Sequence, residues 1–186
     1  GGSIRIGNRE LSELNDYERS QLISYMGHEP ELMSDSIGEN IRLGEPGDVQ
    51  PFLEMVCLEE ETEQMPLGSD TPVGSGGVRL SGGQQARVAL ARTLYNARHI
   101  LILDDPCSAV DRATEQMILS NLRTLAANRI VVLFSHRLYR FPDFDRVLFL
   151  DRGSGVFATH GELIKNNSAY AELYREQTVG GDGDEN

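Results

Sequence analysis

Ile100-Leu101-Ile102-Leu103-Asp104-Asp105-Pro106 is the stretch that decides the fold of this 186-residue chain. Its unbroken apolar run, closed by an acidic pair and a proline, predicts a buried strand from His99 to Leu103. A buried strand ending in carboxylates places them at the carboxyl edge of a sheet, where open α/β folds bind ligands. A carboxylate there can hold Mg2+ beside a nucleotide phosphate. Taken alone, the same residues also suit a solvated acidic turn.

Downstream of this strand, Ile118, Leu122 and Leu125 share one face of a helix predicted from Asp111 to Asn128. Ile130 to Phe134 then reads as a second buried strand. Strand, helix and strand, with both strands continuously apolar, predict a parallel sheet covered on both faces. Val147 to Leu150 and Val156 to Thr159 read as a hairpin around Arg152-Gly153-Ser154-Gly155. Ser168 to Gln177 reads as a closing helix, and the Gly/Asp/Glu tail after it has the composition of disorder.

Upstream, Ser3 to Gly7 and Leu22 to Met26 predict short strands on either side of a polar helical turn, Asn15 to Arg19. Residues 31 to 66 differ in kind. Pro30, Pro46, Pro51 and Pro66 punctuate short helical patterns, Met33 to Ile41 and Pro51 to Leu58. Glu54, Glu59, Glu60, Glu61 and Glu63 read as a solvated helix face. A glycine-rich loop, Gly68 to Gly77, leads into a long helix from Ser81 to Ala97. The expected organisation is an α/β core, residues 1–30 and 98–165, with a helical subdomain, 31–97, inserted into it. Residues 166–186 form the C-terminal helix and tail.

Composition excludes several classes. Lys and Arg number 17 against 29 Asp and Glu, a net charge of −12, and Lys165 is the sole lysine. So acidic a chain is a poor general nucleic-acid binder. Its longest apolar runs, Ile100 to Leu103 and Ile130 to Phe134, are far too short to span a bilayer. The glycine-led start carries no signal-peptide pattern. Two cysteines, Cys57 and Cys107, provide neither a disulfide framework nor a metal cluster, which fits a reducing compartment.

Two further motifs carry chemistry. Leu80-Ser81-Gly82-Gly83-Gln84 opens the long helix. Ser81 is a good N-cap, and the glycines leave backbone N–H groups uncovered at the positive end of the helix dipole, as phosphate readers require. An ordinary capped helix start has the same look. Leu133-Phe134-Ser135-His136-Arg137 places a histidine just past a strand end, where histidines serve structural as well as functional roles.

In this order, the motifs resemble the ATP-binding cassette (ABC) family, specifically the nucleotide-binding domain of an exporter, along nearly the whole chain. Leu80 to Gln84 is similar to the family signature, and Gln85 to Tyr95 to the helix after it. Leu101 to Asp104 resembles Walker B, Ser108-Ala109-Val110-Asp111 the D-loop, and His136 the switch histidine. Thr71-Pro72-Val73-Gly74 resembles the exporter loop that touches transmembrane coupling helices. Gly38 to Ile41 and His160 to Tyr174 are exporter-like as well.

The resemblance implies a P-loop NTPase-type α/β core with ATP and Mg2+ as cofactors. It implies Asp104 on the metal, Asp105 orienting water and His136 touching the γ-phosphate. The N–H groups of Ser81 and Gly83, with Gly82 and Gln84 beside them, would face a partner domain's nucleotide, and Asp111 would couple the two sites. The implied partners are a second nucleotide-binding domain and exporter transmembrane domains, at the cytoplasmic face of the cell membrane.

Three departures qualify the match. The pattern G-x-x-x-x-G-K-[ST] occurs nowhere, so the front strands and the P-loop are expected to be missing. His28 stands where the family has its Q-loop glutamine. Asp105 stands where the family has its catalytic glutamate, one methylene shorter. The two substitutions, beside an intact signature, point to the degenerate-site half of a heterodimer, with a split or remnant non-catalytic partner-binding module as the alternative.

Overall fold

The structure, a computed structural model, describes residues 2–179. The predicted tail at 180–186 lies outside the described residues. The chain forms two compact units, one reaching to Phe134 and the other starting at Ser135.

In the first unit, β1 (Arg5–Ile6) and β2 (Arg9–Glu10) form a small antiparallel ribbon. Then comes α1 (Asp16–Leu22), started by an Asn15–Glu18 capping box. The helix runs through Leu22, so β3 (Ile23–Met26) begins one residue later than the alternation predicts. Short helices follow: α2 (Ile37–Arg42), capped by Ser36, α3 (Gln50–Met55) and α4 (Glu59–Glu63). The long α5 (Gly82–Tyr95) leads to β4 (Ile100–Asp104), α6 (Arg112–Ala126) and β5 (Ile130–Phe134).

The sheet order is β3-β4-β5, all parallel, with Met26 opposite Leu103 and Asp104 opposite Phe134. It is the expected α/β core. Parallel neighbours need crossover connections of a dozen or more residues; α6 supplies the one between β4 and β5. Leu101 and Leu103 are fully buried in a cluster with Met26, Val88, Leu90 and Ile118. Ile37, Ile41, Leu53, Val56 and Leu58 belong to the same cluster, so residues 31–97 share their core with the sheet.

One expectation is overturned. The sheet is covered on one face only, and β5 is not a buried strand. Ile130, Val132 and Phe134 are 62%, 37% and 53% exposed, and Tyr25 on β3 lies open beside them. Their alternates Val131 and Leu133 pack on the core. The physical reason is period two: a strand presents alternate residues to opposite faces, and nothing among the described residues buries the second face.

The second unit holds β6 (Val147–Asp151) and β7 (Ser154–Ala158), an antiparallel hairpin. Its loop is only Arg152-Gly153, both at positive φ (46° and 82°), as a two-residue type I′ turn demands. Ser154 and Gly155 therefore lie in β7, and Thr159 is the N-cap of α7 (His160–Asn166), not a strand residue. The closing helix α8 (Ser168–Val179) follows. Tyr170, fully buried, anchors this unit with Leu138, Val147 and Leu163, and its hydroxyl bonds His160 Nδ1 at 2.8 Å. Burial pushes the Tyr170 phenol up to about 12 and the His160 imidazole down.

Truncating the two strands tests this asymmetry. Leu101→Ala should cost about 2–5 kcal/mol in denaturant unfolding, whereas Ile130→Ala should cost less than about 1 kcal/mol.

Candidate nucleotide site

The start of α5 is built by its own sequence. Ser81 is extended (φ −64°, ψ 162°) and caps the helix; its Oγ accepts from Gln84 N–H at 3.2 Å. Gln84 Oε1 accepts from Ser81 N–H at 2.8 Å, completing a capping box. This alters the donor pattern expected from sequence. The Ser81 N–H is already engaged within the chain, which leaves those of Gly82 and Gly83 as the open donors of the first turn. Leu80, just before the cap, is buried in the core and holds the loop down.

Gly83 is required for a reason that only the fold shows. A Cβ built on it would lie 2.7 Å from the carbonyl oxygen of Ala109. At Gly82 the nearest atom would be Ala109 Cβ, at 3.9 Å. The loop Ser108 to Asp111 therefore rests against the first turn of α5. Asp111 ends that loop and caps α6, accepting from the N–H groups of Ala113 and Thr114 at 3.0 Å. The Thr114 hydroxyl, then these backbone donors, hold its carboxyl below the ordinary aspartate range.

Asp104 is the last residue of β4 and is half-buried at the carboxyl edge of the sheet. Asp105 follows in the left-handed region, φ 47°, with its N–H donating to Phe134 O at 2.9 Å and its carbonyl accepting from Ser108 N–H. Aspartate enters this region more readily than longer side chains do. An aspartate at position 105 thus suits the backbone at this turn. The chain leaving β3 passes His28 at the same edge, because Met26 pairs with Leu103; the His28 side chain is exposed. His136 belongs to the second unit. Its carbonyl accepts from Gln177 Nε2 at 2.7 Å, and Gln177 Oε1 accepts from Leu138 N–H at 2.7 Å, so α8 clamps the histidine's loop.

Among the described residues, no cluster of three or more His, Cys, Asp or Glu is arranged to hold a metal. Hard oxygen donors at Asp104 nevertheless fit Mg2+, which is usually bound by one or two carboxylates together with substrate phosphates.

Several contributors escaped the sequence reading. Glu61 is not simply a solvated face: it pairs with Arg87 at 2.7 Å and accepts from Gln84 Nε2 at 2.7 Å. Burial raises the Glu61 carboxyl, and the bonds from Arg87 and Gln84 outweigh it, so the net displacement is downward. Gln177 and Ala109 act through contacts with no local signature. For Arg87 a signal existed, since a cation inside the run Ala86 to Ala91 needs a buried partner.

Comparison with known proteins gives the family. A family model described as ABC transporter matches residues 1–108. A putative export ATP-binding/permease protein of Rickettsia bellii is 34% identical over 94% of the chain. An ATP-dependent lipid A-core flippase of Photobacterium profundum is 37% identical over 89%. The solved structure of a bacterial Atm1-family ABC exporter with ATP bound superposes with TM-score 0.88, at 33% identity over 96% of the chain. The fold is that of an ABC exporter nucleotide-binding domain, of the P-loop NTPase class. The chain belongs to the ABC transporter family. It spans 30–32% of the length of these three relatives.

Three substitutions test the site's construction. Gly83→Ala should cost about 1–3 kcal/mol by overpacking against Ala109, while Gly82→Ala should be neutral or slightly stabilising. Asp111→Ala should cost about 1 kcal/mol at neutral pH, the worth of an N-cap. Because the folded-state pKa of Asp111 is depressed, its contribution is full above the unfolded value of about 4. The gap between wild type and Asp111→Ala in pH-dependent melting should close as pH falls through the lower folded value.

Proposed function

We propose that this chain is part of the nucleotide-binding domain of an ABC exporter and contributes the degenerate half of an asymmetric pair. The observation that carries the reading is the start of α5: two open glycine N–H groups, a capping serine and the Ala109 loop, assembled as one surface. Such a surface suits a partner's phosphates. It is preorganised, cationic in character through the helix dipole, and has glycine's close backbone access.

The chain's own carboxylates have a different task. ATP bound with Mg2+ would supply the phosphoanhydride whose cleavage drives transport. Asp104 would hold the metal, Asp105 would accept a hydrogen bond from water, and His136 would donate to phosphate. Asp105 is a shorter side chain than the family's glutamate, and His28 occupies a glutamine position. Both changes fall on residues that handle water or metal, and they favour weak hydrolysis at this subunit's own site. The intact signature serves the other site, built on the partner's P-loop. Closure of the two domains would be relayed to membrane-spanning helices, with this domain at the cytoplasmic face. No helix among the described residues is long and apolar enough to cross a membrane.

Two measurements follow. Calorimetric titration of the pure chain with Mg-ATP should show no saturable binding at micromolar nucleotide, because P-loop amides and lysine make most β- and γ-phosphate contacts. A low-micromolar dissociation constant would overturn this. In the reconstituted full-length transporter, Gly83→Ala should lower turnover by about 10²-fold, whereas Asp105→Ala should cost far less. Equal, near-complete losses would make this subunit's own site the working one.

A further inference from the structure

Arg87 is the only charged residue in the buried run Ala86 to Ala91, and it is 9% exposed. A guanidinium removed from water is tolerated only where its donors are matched. Its Nη1 donates to Cys57 O at 2.6 Å and pairs with Glu61 Oε1 at 2.7 Å, while Nε reaches Gly83 O at 3.3 Å. Cys57 sits in the left-handed region, φ 55°, at the turn between α3 and α4. That turn brings its carbonyl and the Glu61 carboxylate to the same cation.

The other oxygen of Glu61 accepts from Gln84 Nε2 at 2.7 Å. Gln84 is thereby bound at both ends: its amide nitrogen to Glu61, its amide oxygen to Ser81 N–H. The chain of contacts runs from a buried cation through a carboxylate to the side chain that decides whether Ser81 N–H is occupied or open. A helix start with a free Gln84 presents three N–H groups; with Gln84 held, it presents those of Gly82 and Gly83.

We propose that Glu61 and Arg87 are positioning residues that lock Gln84 into the capping box and so fix which N–H groups of the first turn of α5 face a ligand. Neither side chain touches nucleotide in this scheme; both act through Gln84. Glu61 lies on α4 and Gln84 on α5, so any displacement of α4 relative to α5 acts on the donor pattern directly. The functional consequence rests on the proposed role of this turn at a partner's phosphates.

The test uses the full-length transporter and two independent readouts. By hydrogen exchange in nucleotide-free protein, Glu61→Gln should speed exchange of the segment Leu80 to Gln85 by about tenfold, with α6 unchanged. Arg87→Lys should do the same to a smaller degree, as the positive charge remains but the guanidinium's fixed fork of donors is lost. Unchanged exchange in both variants would overturn the proposal. By turnover, Glu61→Gln should lower kcat by about five- to tenfold with the ATP KM within about twofold. In a Gln84→Ala background the same substitution should have no further effect, since the group being positioned is gone. Multiplicative losses would mean that Glu61 acts by general destabilisation, contrary to the proposal. Faster exchange with turnover untouched by Glu61→Gln, Gln84→Ala and Gly83→Ala alike would uphold the positioning and defeat the functional reading.

Discussion

The contacts of Leu80, Ala109, Glu61 and Arg87 all converge on the backbone N–H groups at the start of α5. A helix cannot bond its first N–H groups internally, so the chain must satisfy them or present them. Here Ser81 and Gln84 satisfy two reciprocally, and two glycine N–H groups stay open. Leu80 anchors the loop from below, Ala109 closes on it from the side, and Arg87 with Glu61 braces it against α4. Ala109 and Glu61 reach it from the loop after β4 and from α4, so the turn depends on segments far apart in sequence.

The sheet supplies the other half of the arrangement. Parallel pairing sends β3 and β4 out at one edge, so Asp104, Asp105 and the loop bearing His28 emerge together. The hydrophobic effect explains why β4 is the fixed point. Leu101 and Leu103 are wholly buried against helices, while β5 gives only alternate residues to the core. Tyr25 on β3 and Val132 and Phe134 on β5 are left exposed on the sheet.

Much of this was legible in the residues. Ser81 before two glycines announced a capped helix start, and the run ending at Asp104 announced a strand terminus, because both signals are local. The face of α6 bearing Ile118 and Leu122 followed from helical spacing and is buried as expected. What failed was whatever depends on the surroundings. Ile130 to Phe134 is apolar at every position, and such a run reads the same whether one face is covered or two. Glu61 was hidden in an acidic run because its partners lie 23 and 26 residues away, on another helix. Gly83 was read as open backbone for phosphate; its contact with Ala109 adds a steric demand that spacing does not reveal.

In the proposed arrangement the capped glycine turn of this chain faces the nucleotide of a partner domain. A structure of the full-length transporter, trapped during turnover with ADP and vanadate, tests it most directly. The expected result is trapped nucleotide between a partner's P-loop and the Gly82 and Gly83 N–H groups of this subunit. Nucleotide trapped only against Asp104 and Asp105, with the start of α5 facing solvent, would contradict it.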